Sequence, residues 1–425
     1  MRKGILVLLL PLLAAGPVLA GGFNIYEFGG RASAMGGAVV ARSWDGSTIF
    51  YNPSGLAFLK GTHFYGGTTL ILPKASFVGA APIWGTEVQK TKDALYYPVG
   101  VYFAHNFNGK LAAGIGLTNP FGLGVEWKDD FTGRGVSRNS QLQSFYISPV
   151  AAYQILPNLS IGGGLDIVIA TVLLERNVYI FDSPGSPGYE VGKVKLKGTS
   201  EVGLGFTASA MYRTEKLGLG FLYRHSTKNE FKEGDADFTI FDNLTVPNVA
   251  AVAQNVLKDQ KASTSLDFPN FFSAGIYYQL TKKLGAEVDY MWFNWSIFDE
   301  IALHFKETSS LDQTVPEEYK DSWQLRVGTH YELTDKISLR AGYIFDQSPE
   351  PIQSVSPLLP DSDRHDFSIG LGYNFGKYQL DLGYMMVLAG ERSTVENGVG
   401  KNHYGFDGTY NTRADLFFGS FGINF

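Results

Sequence analysis

A chain of 425 residues with a formal charge of −6, 50 glycines, 14% aromatic residues and no cysteine carries too little charge, and of the wrong sign, to bind nucleic acid through counterion release. Its length would accommodate about two or three soluble domains, but no linker or shift in composition marks a boundary after Gly61. Mean hydropathy near zero, abundant aromatics and the absence of disulfide chemistry together suit a closed barrel in a Gram-negative outer membrane.

Residues 1–20 read as a secretion signal: Arg2 and Lys3 precede the apolar run Ile5–Leu13, and Val18-Leu19-Ala20 ends in a small residue suited to cleavage. The alternative is a membrane anchor, for which the run is short. The mature chain then begins near Gly21. Residues 21–60 do not alternate. Their glycines and alanines (Gly29, Gly30, Ala32, Ala34, Gly36, Gly37, Ala38, Ala41) permit close packing and sharp bends, which predicts a compact plug inside whatever the remaining chain builds.

From residue 61 to the end the chain alternates at period two, as a sheet with two unlike faces requires. In Glu201–Arg213, Val202, Leu204, Phe206, Ala208, Ala210 and Tyr212 share one face, while Glu201, Gly203, Gly205, Thr207 and Ser209 share the other. Trp323–Leu333 and Tyr378–Leu388 repeat the pattern. Short polar turns such as Asn108-Gly109, Lys282-Lys283 and Gly376-Lys377 alternate with long connections such as Pro73–Ala94, Glu233–Ala262 and Ser393–Gly408. Short periplasmic turns opposite long external loops are the asymmetry of a membrane barrel. The pattern yields roughly fourteen antiparallel strands, an even number, the first near Thr62 and the last near Thr409, ending on Phe421, Ile423 and Phe425 of one face. No run of about 18 apolar residues follows the signal, so no transmembrane helix is predicted. A lumen of that width is too large for wall side chains to fill; residues 21–60 are the material that plugs it.

Gly22-Phe23-Asn24, the small-residue run and Phe50-Tyr51-Asn52-Pro53-Ser54-Gly55-Leu56-Ala57 resemble the outer-membrane long-chain fatty acid transporter family, the FadL/TodX type. That family carries Asn-Pro-Ala in its plug, where this chain has Ser54. Tyr223-Arg224-His225-Ser226, Leu266-Asp267-Phe268-Pro269, Trp292-Phe293-Asn294-Trp295-Ser296, Tyr319-Lys320-Asp321, Leu339–Tyr343 and Leu359–Arg364 extend the likeness, in order, over nearly the whole mature chain. The resemblance implies a monomeric fourteen-stranded barrel with an N-terminal hatch and passive uptake of hydrophobic compounds. Its partners would be the ligand, outer-membrane lipid and lipopolysaccharide, with no cofactor.

A fatty acid needs an apolar slot and a cation for its carboxylate. The resemblance assigns that basic pair to Arg176 and Lys320; the alternative is rim charge, Arg176 pairing with Glu175 and Lys320 with Asp321. It also brings Phe23 into the ligand pocket, to be displaced on binding, where a packing aromatic is the plainer reading. Asn52 and Pro53 favour a turn; the resemblance implies that the turn Asn52-Pro53-Ser54 holds the hatch against the wall, and the alternative is a generic turn. Asn119-Pro120-Phe121-Gly122 interrupts the third strand, since proline cannot donate to a ladder and glycine weakens one. The resemblance makes this an inward kink that opens a side exit; otherwise the strand ends early. Val246–Lys258 has helical spacing, so Val249, Val252, Val256 and Leu257 could catch ligand from an external loop, or pack on that loop. No nucleophile elbow, triad spacing, phosphate loop or paired metal ligands appear, so no enzyme and no metal are expected. An aromatic-hydrocarbon channel of the same family is the alternative transport function.

Overall fold

In a computed structural model that describes residues 22–81, 84–181 and 188–425, the chain closes into a barrel of fourteen antiparallel staves. The signal-peptide reading of residues 1–20 lies outside the described residues. The first seven staves are β1 (Thr62–Gly79), β2 (Val99–Asn106), β3 (Leu111–Thr118, resuming as Gly122–Glu126), β4 (Asn139–Leu156), β5 (Leu159–Ile180), β6 (Tyr189–Thr199 and Gly203–Arg213) and β7 (Leu217–Arg224 and Thr227–Ile240). The remainder are β8 (Gln260–Phe268 and Phe271–Gln279), β9 (Leu284–Phe293 and Glu300–Phe305), β10 (Gln313–Pro316 and Ser322–Glu332), β11 (Ile337–Asp346), β12 (Arg364–Phe375), β13 (Tyr378–Ala389) and β14 (Gly408–Asn424). β14 pairs with β1 from Asn424↔His63 to Gly408↔Gly79, and Phe425 and Thr62 exchange backbone hydrogen bonds at 2.9 and 3.2 Å. Closure leaves no free sheet edge at the seam.

Burial is inverted relative to a water-soluble sheet. Leu204, Leu165, Ile369 and Ile276 are exposed on the outer surface, whereas Gln324, Arg326, Arg340 and Asp381 are buried inside. Apolar residues that face lipid and polar residues that face the lumen account for this directly. At the short turns the Asn108 side chain accepts from the amides of Lys110 and Leu111, and Gly109 and Gly376 adopt positive φ, a conformation that costs glycine little.

Residues 22–60 occupy the lumen, as the small-residue run implies. Two short helices, α1 (Gly30–Ala34) and α2 (Thr48–Tyr51), and a 3-10 turn at Pro53–Phe58 are joined by irregular backbone. Wall side chains supply the hydrogen bonds that this backbone lacks. Glu287 Oε1 accepts from the Ala41 amide (2.5 Å), Asp289 Oδ2 from Val39 and Val40 (2.8 and 3.0 Å), and Arg326 Nη1 donates to the Gly36 carbonyl (3.1 Å). The inward polarity of the strands is therefore the complement of a plug without regular structure.

Outside the barrel, α3 (Pro247–Val256) caps the top of β6 and β7. Val249, Ala253 and Leu257 are buried against Val191, with Val178, Phe238, Ile240 and Leu311 around them. Val256 is half-buried and Val252 exposed.

Candidate ligand cavity and wall opening

Phe23, second of the described hatch residues, stands in an aromatic nest. Its ring packs edge-on against Trp295 (4.7 Å between centroids), Phe298 (5.4 Å), Phe121 (6.1 Å) and Phe268 (6.2 Å), and Phe121 stacks on Phe268 at 4.6 Å. Each such pair contributes about 0.5–1.5 kcal/mol beyond area burial. Immediately upstream, the Gly22 amide donates to Asp361 Oδ2 at 2.8 Å, and the same oxygen accepts from Ser348 Oγ at 2.7 Å. Burial outweighs the neighbouring Arg364 guanidinium and the bonds to Gly22 and Ser348, and raises the Asp361 carboxyl to about 6. Burial alone pushes Glu317 up to about 8, and burial followed by the Asp361 charge raises Glu350.

The hatch terminus is hydrogen-bonded to the interruption in β3. Ile25 donates to the Pro120 carbonyl (2.8 Å), Gly122 donates to the Phe23 carbonyl (2.9 Å), and Asn24 and Phe121 form a bridge. Pro120 has no amide to offer, and Asn119 replaces the missing ladder bonds with its side chain. Its Nδ2 donates to the Ser144 carbonyl of β4 at 2.7 Å and its Oδ1 accepts from the Val99 amide of β2 at 2.9 Å.

The interruption is a bulge. Below it Thr118 pairs with Tyr146; above it Gly122 pairs with Gln143. Three residues of β3 thus stand opposite two of β4, and one extra residue exchanges the two faces. Ala112 and Thr118 are buried below the bulge, while above it Leu123 and Val125 join the interior apolar clusters. Gly122, Gly124 and Glu126 consequently turn toward the other side. The upper half of β3 pairs with β4 but not with β2, whose ladder with β3 stops at Val101↔Leu117. A break in the wall remains between the upper half of β3 and residues 93–98, above which the Lys92 amide donates to the Glu126 carbonyl.

A cavity of about 1020 Å³ runs from the lumen to this break. Phe23, Leu142, Arg326 and Asp361 line it inside; Asn119, Phe121, Gly122 and Tyr96 line it at the break. Its volume is at the upper end of small-molecule sites.

The Asn52-Pro53-Ser54 turn lies lower, at the wall. Asn52 Nδ2 donates to the carbonyls of Val40 (2.7 Å) and Ala210 (3.3 Å), and Ser54 Oγ donates to Asn52 Oδ1 (2.5 Å). Ser209 Oγ accepts from the Ser54 amide (2.9 Å), and Ser160 Oγ donates to the Ser54 carbonyl (2.8 Å). Gly162 of β5 leaves the space in which the Ser54 backbone sits; a Cβ there would overlap it.

Arg176 and Lys320 are not brought together around one pocket. Arg176 projects from the same face of β5 as Val172, Leu174 and Val178, which pack on the interior cluster, and its Nη2 donates to Gln313 Oε1 at 2.6 Å. Among the described residues no carboxylate lies within ion-pair distance of it: neighbouring Glu175 pairs with Arg138 and Lys195 instead. Lys320 precedes the second segment of β10, is held by a bond from its own amide to the Pro349 carbonyl (2.8 Å), and exposes its side chain. Neither residue lines the cavity. On α3, Val249 and Leu257 are engaged in packing, and Val252 alone of the four expected capture residues is exposed. Sequence reasoning gave no role to Asp361, Ser144, Tyr96 or Gly124. Pro120 and Gly122 signalled the interruption, but no local signal pointed to the partners that close around it.

A lipid-facing barrel with a filled lumen and a cavity that reaches its wall defines a transport channel of the bacterial outer membrane. Residues 11–425 match the model of the family described as outer membrane protein transport protein (OMPP1/FadL/TodX), and the chain belongs to that family of hydrophobic-compound transporters, which are channels and not enzymes. It is 26% identical over 403 residues to the long-chain fatty acid transport protein of Salmonella typhi, covering 89% of each chain. It is 26% identical over 419 residues to outer membrane protein P1 of Haemophilus influenzae, covering 88% of this chain and 87% of the relative. Among solved structures, a Pseudomonas aeruginosa FadL homologue superposes with a TM-score of 0.83 at 21% identity, covering 95% of this chain and 100% of that one. The toluene transporter TodX of Pseudomonas putida gives a TM-score of 0.73 at 17% identity, covering 94% and 99%.

Proposed function

We propose that this protein takes up long-chain fatty acids passively, and that they leave through the break in its wall. The carrying observation is the cavity that joins the Phe23 nest to the break, with hatch residues 23–25 hydrogen-bonded to Pro120 and Gly122 along the way. Displacing Phe23 necessarily disturbs those bonds, so a ligand that enters the nest also loosens the margin of the exit. An apolar molecule released there meets lipid and never crosses water. Arg176 supports the acid as substrate: a buried guanidinium held by a neutral amide retains donors for a carboxylate. The Salmonella relative is named for fatty acid transport, which agrees. The turn Asn52-Pro53-Ser54 serves as the fixed end of the hatch, against which the Phe23 end moves.

A neutral aromatic or aliphatic hydrocarbon is the second reading. The outward Lys320 favours it, because the expected pair of cations is not assembled and Arg176 itself stands outside the cavity lining; the TodX likeness shows the fold only. Titration of the detergent-purified barrel with palmitate, methyl palmitate and toluene decides between them. Tight palmitate binding that weakens about 10- to 100-fold in Arg176→Ala and is unmoved in Lys320→Ala supports the acid. Equal binding of all three, insensitive to Arg176→Ala, overturns it in favour of the hydrocarbon.

A further inference from the structure

Above the bulge, the face of β3 that turns away from the lumen presents Gly122, Gly124 and Glu126, and each is covered by a different part of the chain. A Cβ on Gly122 would stand 2.6 Å from Ile25 Cδ1. Glu126 Oε1 accepts from Lys92 Nζ at 2.9 Å, and its carbonyl accepts from the Lys92 amide at 2.7 Å. Over Gly124 lies the ring of Tyr96, in the space where a Cβ would be. Ile25 and Lys92 are thus fastened to β3 by backbone hydrogen bonds, Ile25 through Pro120.

Tyr96 is fastened to the opposite margin. Its amide and carbonyl exchange hydrogen bonds of 3.0 and 2.8 Å with Ile71 of β1, and no backbone bond joins it to β3. Its hydroxyl makes no hydrogen bond among the described residues. Leu95 and Tyr97 on either side are 51% and 66% exposed, so the ring of Tyr96 alone of the three turns back across the break. Between the two fastened points, Ile25 below and Lys92 above, this ring lies across the notch at Gly124 and narrows the cavity where it meets the break, and rotation about its side-chain torsions widens it without breaking the barrel ladder.

We propose that Tyr96, seated in the notch left by Gly124, sets the cross-section of the molecules that leave through the wall. A slim alkyl chain passes by tilting the ring; a broad polycyclic molecule requires it to swing out fully. This deepens the lateral-exit reading and rests on it.

The test compares initial uptake of palmitate and of the tricyclic abietate by cells whose only such channel is this protein, alongside equilibrium binding of both acids to the purified barrel. In Tyr96→Ala the abietate-to-palmitate rate ratio is expected to rise roughly tenfold, a size-selection effect of the magnitude that small steric changes produce, and to exceed any change in the ratio of the two binding constants. Tyr96→Phe should match wild type, since the hydroxyl bonds nothing. Gly124→Val in the Tyr96→Ala background should refill the notch and restore the wild-type ratio. An unchanged ratio in a Tyr96→Ala barrel that still shows the heat-dependent gel shift of a folded barrel overturns the assignment. A further variant, with Asn119–Gly122 replaced by regular strand sequence one residue shorter, separates the two levels. If it abolishes uptake of both acids while Tyr96→Ala does nothing, only the Tyr96 assignment falls. If it transports both at wild-type rates, the lateral exit falls and Tyr96 with it.

Discussion

At Asp361 a single carboxylate oxygen accepts from the first described hatch amide and from Ser348, while Arg392 donates to the Asp361 carbonyl at 3.1 Å and the Asp361 amide donates to Glu350 Oε2 at 3.1 Å. With Arg364 and Tyr319 these are the charged and titratable groups around it. An ordinary aspartate ionises near pH 4, roughly, whereas burial holds Asp361 to about 6. Between those values the unfolded chain has released a proton that the folded one keeps. Folding stability from this group is therefore full below the lower value and declines as pH rises through the window. The bond to Gly22 runs the other way, because the ionised oxygen is the stronger acceptor. A spin label at Asn24→Cys, unique in a chain with no cysteine, should gain mobility as pH falls through about 6. In Asp361→Asn the mobility should be high and flat with pH; a label equally immobile at both ends of the range contradicts this. Ser54 is a second residue-scale case. Ser54→Ala leaves the buried Asn52 Oδ1 without its donor, a loss of about 1–3 kcal/mol, read as a lower temperature for the heat-dependent gel shift. The Asn-Pro turn was recognisable in sequence because its residues are adjacent. The Gly22–Asp361 bond was not, because the partners lie 339 residues apart.

Among the elements, strand period carried most of the information. A lipid-facing strand must expose apolar residues at every second position over its full height, so the staves could be located from alternation alone. Glu317–Asp321 lacks alternation, and nothing local said that Lys320 points outward while Tyr319 is buried. The bulge was half legible: Pro120 and Gly122 announce an interruption, but the one-residue offset that turns Leu123 inward and Gly124 to the break exists only in the pairing with β4. The helix α3 shows the same division. Helical spacing identified its apolar face, yet that face meets Val191, Phe238 and Leu311 of its own barrel top. Val249→Asp should accordingly destabilise the loop, exposing residues 241–259 to protease, because a carboxylate would replace a packed side chain. Val252→Asp should leave the loop intact. If both substitutions leave it resistant, the helix contributes nothing to the order of the loop.

For the molecule as a whole, wall and plug divide the work of folding and of closure. Below the bulge in β3 the backbone ladder is continuous around the barrel through β14 and β1, and none of its bonds there requires the hatch. The inward side chains are another matter. Glu287, Asp289 and Arg326 find hydrogen-bond partners in hatch backbone, and without it they would need water, which an emptied lumen supplies at little cost. A chain lacking only residues 22–60 should therefore still assemble into a barrel with a heat-dependent gel shift. In planar bilayers it should pass ions in large, stable steps where the complete protein passes almost none, since a lumen of roughly fourteen staves is wide enough to conduct when empty. Selective uptake of a dilute hydrophobic molecule should be lost at the same time, because the Phe23 nest and the hydrogen bonds to Pro120 and Gly122 are gone. A truncated chain that fails to assemble would assign the hatch a part in folding that the ladder does not predict. A truncated barrel that assembles and remains non-conducting would mean that the loops above it, including the Trp127–Phe131 stack at 4.1 Å and its neighbour Phe406, close the lumen unaided.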